Sequence, residues 1–335
     1  MSLLRPAYRI TIGKRTIDTT DEPRASTVTE LRVELDVETP ADQARLRLGQ
    51  VGGLKPVVGD EVAVELGYAD DGPLTRVFTG MVTETAPGLA VRRITALGPA
   101  VTLLHTFVDR TFEGMSAGDL VRKLAGEAGI AVAEAEPGIR FPAYVIDGRR
   151  SIHDHLRDLA ALCGFDLYCD AAGALRFRRF TGGDRVHRLE YGKDLLELTF
   201  RRTAPAVAAV EAWGEGSGSG GTDTWAWLTK DFSRARGDAG RGNPVRRLEH
   251  PALRSTEAAG IAADAAYTAI TRDTLRGWAL CSGRPGVTLG DAVRLSGLPE
   301  NRFDGTYQVR SITHRLTKAA GFTTTIGFRS VSEGA

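Results

Sequence analysis

Apolar and polar residues alternate with a period of two through most of the first hundred residues. YRITIG (8–13), LRVELDV (31–37) and ARLRLG (44–49) each put every second residue on an apolar face, the mark of a half-buried strand. DEVAVELGY (60–68), TRVFTGMVTE (75–84) and VRRITALG (91–98) continue the alternation. Asp70-Asp71-Gly72-Pro73 and Pro87-Gly88 supply turn chemistry between them. Short strands at this spacing predict a first β-barrel or sandwich over residues 1–110.

The period changes at about residue 111. In SAGDLVRKLAGEAG (116–129), Leu120, Val121, Leu124 and Ala128 share one helical face. Ser116 stands at the N-cap, Asp119 three residues on, and Gly129 stops the helix. SIHDHLRDLAALCG (151–164) repeats this grammar, with Ser151 as cap, Asp154 at the third helical position, a stripe of Ile152, Leu156, Leu159 and Cys163, and a final Gly164. A hairpin follows, FDLYCD and ALRFRRF about a turn at Ala171-Ala172-Gly173. Residues 111–194 therefore predict a small α+β module. From about residue 195 the β pattern returns, interrupted by a Gly/Ser tract and by an alanine-rich helix expected over 255–272.

One turn-and-strand occurs at both ends. Val58-Gly59-Asp60 matches Leu289-Gly290-Asp291, with Val62 and Val64 matching Val293 and Leu295. Glycine accepts positive φ, and an aspartate beside it bonds nearby backbone N–H groups, so the pair makes a tight lead-in to a strand. Downstream, Phe78-Thr79-Gly80 aligns with Phe303-Asp304-Gly305, which fits a bend where a ring packs beside bare backbone. Two elements in the same order predict a duplicated β-barrel. The fold class is mainly β: two similar, tube-like barrel domains, 1–110 and 195–335, joined by the α+β module, with the Gly/Ser loop and the third helix inserted in the second.

These segments resemble one known family. RPGVTLGDAVRLSGLPENRFDGTYQVRSITHRLTKAAGFTTTIGF (284–328) is similar to the C-terminal barrel of phage late-control D proteins, the tail hubs of contractile phages and injection systems, akin to the hub part of VgrG. SIHDHLRDLAALCGFDLYCDAAGALRFR resembles the family's helix-then-hairpin unit, and VGDEVAVELGY with FTGMVTE its first barrel. The resemblance implies a structural baseplate hub, not an enzyme. It implies a homotrimer whose six barrels match a hexameric inner tube protein above, while its threefold axis matches a trimeric spike protein below. Such symmetry adaptation follows from closed oligomers reusing one interface. VgrG-type chains continue into a β-helix spike; here the sequence stops at Ala335, so the resemblance implies a separate spike, other baseplate proteins as partners, and a place in the phage virion or injection particle after cytoplasmic assembly.

Composition narrows the alternatives. Over 335 residues the formal charge is +1 with both signs mixed, which leaves no electrostatic footprint for nucleic acid. Three cysteines (Cys163, Cys169, Cys281) fit no disulfide framework and form no CxxC pair. The N-terminus lacks the apolar stretch of a signal peptide, and no apolar run is long enough to insert in a membrane. His153 and His155, at i and i+2 of a helix, do not share a face for a metal, and no cofactor is expected. Gly216-Ser217-Gly218-Ser219-Gly220-Gly221 satisfies GxGxxG formally but precedes a strand pattern, TDTWAWL, where a dinucleotide site needs a helix. Trp213, Trp225 and Trp227 read as core or interface rings, with a sugar-binding cluster as the competing reading. The competing functions are a tail-associated cell-wall hydrolase and a carbohydrate-binding tail module.

Overall fold

The computed structural model describes residues 4–21, 27–49, 54–217 and 228–331. The first β unit comprises β1 (Pro6–Ile12), β2 (Arg15–Asp18), β3 (Val28–Asp36), β4 (Gln43–Gly49), β5 (Glu61–Tyr68), β6 (Thr75–Pro87) and β7 (Val91–Leu97). Alternation sorts its side chains as the pleat requires. In β3, Leu31, Val33 and Leu35 are buried, while Arg32, Glu34 and Glu30 line the other face. There they form ion pairs along and across strands, Arg32 to Glu34 at 2.7 Å within β3 and Arg47 of β4 to Glu30 at 3.4 Å.

The middle module holds α1 (Val101–His105), β8 (Arg110–Ser116), α2 (Ala117–Glu127), β9 (Val132–Ala135), β10 (Arg140–Ile146), α3 (Ile152–Cys163), β11 (Asp166–Cys169) and β12 (Leu175–Arg178). Ser116 caps α2, and Ser151 with Asp154 forms a reciprocal capping box on α3. Gly164 ends α3 in the left-handed region at φ 67°. The hairpin β11–β12 gains β9 as a parallel third strand, and β8 pairs with β10.

The rest comprises β13 (Val186–Glu190), β14 (Leu195–Arg202), β15 (Ala209–Ser217), β16 (Leu228–Gly240), β17 (Val245–Glu249), α4 (Thr256–Arg272), β18 (Leu275–Ser282), β19 (Ala292–Ser296), a 3-10 turn (Asn301–Phe303), β20 (Gly305–Thr317) and β21 (Gly321–Ser330). The chain is thus mainly β, with an α+β module between two similar β units.

The packing does not follow a division into consecutive segments 1–110, 111–194 and 195–335. Both β units share one core, in which Val33 and Leu46 of the first sit with Ile312 and Ile326 of the second. A second core belongs to the middle module and recruits Val210 and Ala212 of β15, Leu253, and Ala258, Ala262 and Ala263 of α4. Residues between β14 and β18 therefore pack with the module before them. The reason is geometric: β14 and β18 pair directly, so everything between them must leave the sheet and bury its apolar face elsewhere.

Candidate functional site: the duplicated unit and its joint

Strands β3, β4, β7, β6 and β5 stand side by side in that order, and β14, β18, β21, β20 and β19 repeat it. Every neighbouring pair in both series is antiparallel. Irregularities match too. β3 slips against β4 between Val28 and Glu30, and β14 slips against β18 between Leu195 and Glu197. β6 slips against β7 between Val82 and Glu84, and β20 against β21 between Val309 and Ser311. A bulge bends a strand at one defined residue, so matched bulges give both units the same bend. The sixth strand differs: β1 runs antiparallel to β5, whereas β13 runs parallel to β19.

The Gly-Asp turns occupy matching places. Gly59 has φ 96° and Gly290 φ 89°. Asp60 accepts from the N–H of Val57 at 2.9 Å, and Asp291 from that of Thr288 at 2.9 Å. Each aspartate carbonyl then accepts from the neighbouring strand, Asp60 from Val82 at 2.8 Å and Asp291 from Val309 at 3.0 Å. Their surroundings differ. Asp60 is half-exposed, but Asp291 is 1% exposed and also accepts from Arg185 N–H at 3.2 Å and Thr288 Oγ1 at 3.1 Å, with His187 Nε2 at 2.8 Å.

Phe78-x-Gly80 and Phe303-x-Gly305 do not correspond in space. Val64 faces Phe78, whereas its counterpart Leu295 faces Gly305. The alignment of these triplets is therefore two residues out. The two hairpins differ in length: Val64 and its partner Phe78 are 14 residues apart, Leu295 and its partner Gly305 10. Phe78 is buried, and a Cβ on Gly80 would lie 2.6 Å from the Phe78 ring and 2.3 Å from the Leu97 carbonyl, so bare backbone beside a ring is found there. At Gly305 a Cβ would meet only the Tyr307 ring, at an ordinary 3.8 Å; Phe303 sits in the turn and stacks on Phe200 at 4.5 Å.

The two units meet in a joint that no local pattern announces. β20 keeps β21 on one edge and divides the other: residues 305–308 pair with β19, and 311–317 with β3. Arg310, the bulged residue, stands where the partner changes. Its carbonyl accepts from Val37 N–H at 3.1 Å, and its guanidinium bonds Asp166 of β11 and Glu38. Gln308 donates to Asp166 at 2.5 Å and accepts from Arg329 at 2.9 Å. Arg157 of α3 reaches the Val37 carbonyl at 2.9 Å and Glu38 at 3.2 Å. The joint thus ties both β units to the middle module. Burial works to lower the pKa of Arg310, but Asp166 and Glu38 outweigh it and raise it above the ordinary value. Arg329, 3.7 Å from Asp166, is lowered by burial and by Arg310, which outweigh the help of that carboxylate.

Other sequence candidates fall into structural places. His153 is buried, which lowers its pKa, and His155 Nε2 lies 3.0 Å from the Asp147 carbonyl. Among the described residues no three His, Cys, Asp or Glu side chains group to hold a metal. All three cysteines are buried, with thiols pushed up by burial to about 11, 12 and 11 for Cys163, Cys169 and Cys281. Trp213 is buried, with the Arg247 guanidinium 5.2 Å from its ring centre. Trp225, Trp227 and the middle of the Gly/Ser tract lie outside the described residues. No helix among the described residues is long and apolar enough to cross a membrane.

No family model and no curated protein matches the sequence. Solved structures do. The 43 kDa tail protein of prophage MuSo2 from Shewanella oneidensis superposes with a TM-score of 0.71 at 15% identity, covering 96% of this chain and 98% of that one. A tail protein from Neisseria meningitidis gives 0.72 at 14% identity, covering 98% of each. The c3393 protein of E. coli, a type VI secretion component with structural similarity to T4 bacteriophage tail proteins, gives 0.63 at 10% identity, covering 97% of this chain and 77% of that one. By superposition, the chain has the fold of phage tail and VgrG-like type VI secretion proteins.

Proposed function

We propose that the chain is the structural hub of a contractile tail or injection system, without catalytic activity of its own. As a homotrimer it would present six β units to a hexameric inner tube protein and a threefold face to a separate trimeric spike. The observation that carries this reading is the duplicated five-strand unit with matched bulges, joined within one sheet. One chain that holds two equivalent units converts threefold symmetry into near-sixfold symmetry, which is the task a tube-to-spike adapter performs. The fold shared with phage tail proteins and with a type VI secretion component supports the same reading.

The test is electron microscopy of a particle that contains this chain. Threefold density between a sixfold tube and a spike is expected at its position. Density at the tail periphery, or a monomer that degrades cell wall in isolation, would reject the hub.

A further inference from the structure

Two of the sheet edges that lack a strand neighbour among the described residues correspond to the two sides of the joint. One is the outer edge of β14, which pairs only with β18. The other is the edge of β6 beyond Val82 on the side of β5, since β5 pairs with 75–81, Val82 bonds Gly59 and Asp60, and β7 pairs with 81–87. The duplication says what fits them. β14 is the counterpart of β3, and β6 that of β20; within the chain, β3 already pairs with β20. We propose that residues 200–204, the end of β14 and the two residues after it, pair antiparallel with residues 83–87 of a second copy of this chain, repeating the β3–β20 joint between subunits.

The register follows from the matched bulges. Val82 corresponds to Val309, so Glu84, Ala86 and Pro87 correspond to Ser311, Thr313 and His314. Leu31, Val33 and Glu34 correspond to Leu198, Phe200 and Arg201. Because Thr313 faces Glu34 and His314 faces Val33 in the joint, Ala86 faces Arg201 and Pro87 faces Phe200 in the seam. The Val37–Arg310 bond fixes which residues point across: 310, 312 and 314 in the joint, hence 83, 85 and 87 in the seam. Pro87 offers a carbonyl but no N–H there, so it costs the β6–β7 ladder nothing and ends the seam.

Exposure and charge agree. Val33, which faces His314 at the joint, is fully buried, but its counterpart Phe200, which faces Pro87 in the seam, remains half-buried. A neighbouring strand would cover it as β20 covers Val33. Arg201 lies diagonal to Glu84 of the other copy, an opposite-charge pair on the outer face. The two surfaces of this contact are different, so it runs head to tail and either closes into a ring or grows as a filament. That it closes at three copies rests on the hub reading.

The experiment is a directed disulfide. Ala86 and Arg201 fall at a non-hydrogen-bonded position, where opposed Cα atoms are about 4.5 Å apart. Oxidised Ala86→Cys/Arg201→Cys protein is expected to run as a covalent trimer without reductant. Its cross-linked fraction should exceed that of the shifted pair Ala86→Cys/Thr199→Cys about ten-fold. Glu84→Cys/Thr203→Cys is the second in-register pair, should Arg201→Cys fold poorly. Light scattering of the uncross-linked protein separates the two readings. A trimer without the disulfide overturns the seam and leaves the hub; a disulfide ladder growing past three keeps the seam and rejects threefold closure. A monomer that forms no disulfide at either pair overturns the seam.

Discussion

Asp60 and Asp291 make the same turn in different media, and that difference sets what each contributes. Asp291→Ala strands buried donors from Thr288 and Arg185 and should cost about 3 kcal/mol, whereas Asp60→Ala loses one exposed bond worth about 0.5–1 kcal/mol. Denaturant titration of both variants checks this; equal losses would show that burial of the second turn is immaterial. Gly290→Ala should likewise cost more than Gly59→Ala: both carry the positive-φ penalty of about 1–2 kcal/mol, but only at Gly290 would a Cβ meet Tyr168 Oη at 2.3 Å. His314 has its own signature. It is fully buried, bonds Thr324 Oγ1 at 3.0 Å, and burial lowers its pKa to about 3. The unfolded chain therefore takes up a proton below about pH 6.5 that the folded chain refuses, so stability is full above that pH and falls as pH drops towards 3. His314→Leu should flatten the stability–pH profile in that window; an unchanged slope would sink the assignment. Asp42 works oppositely, raised by burial to about 7, so its contribution is lost as pH climbs through that value, and Asp42→Asn should remove this loss. The Gly-Asp turns were readable from sequence because a positive φ and a carboxylate beside it are local requirements. The Phe-x-Gly correspondence was not, since unequal connections let two similar triplets align two residues out of place.

Helices announced themselves through caps and stripes: Ser116, Ser151 and Ser255 each accept from a backbone N–H three residues on. Strands announced themselves through alternation, but alternation names no partner. Nothing local in β13 states that it runs parallel to β19, and nothing in α4 states that its alanines face the middle module. The joint is the extreme case, since Ser311 pairs with Asp36, 275 positions earlier. Its key residue, Arg310, reads as one more strand arginine until Asp166 and Glu38 are seen around it. Arg310→Met should cost about 3–5 kcal/mol, because Asp166 would be left buried with its nearest charge partner gone. Arg157→Met, at the more exposed end of the same network, should cost about 1 kcal/mol or less. Calorimetry of the two variants distinguishes them, and a mild effect at Arg310 would show the joint is held by strand pairing alone.

For the molecule as a whole, the resemblance to tail hubs and the superposition on tail proteins reach the same architecture by separate routes. Light scattering of the purified chain is expected to give three times the 35.9 kDa chain mass. The wide sequence separation across the joint also bears on the order in which the molecule comes into being. The first β unit is complete once residue 97 has left the ribosome, with all its ladders local. β3 then waits with one side bare while more than two hundred further residues are made, until β20 emerges. A bare strand side is a template for any passing strand, including the same strand of another nascent chain. Its outward charges, Arg32, Glu34 and Glu30, are what guards it during that wait. Late closure also means that truncated chains ending before β20 are left with a permanent sticky side, and they should aggregate during synthesis while the full-length product stays in solution.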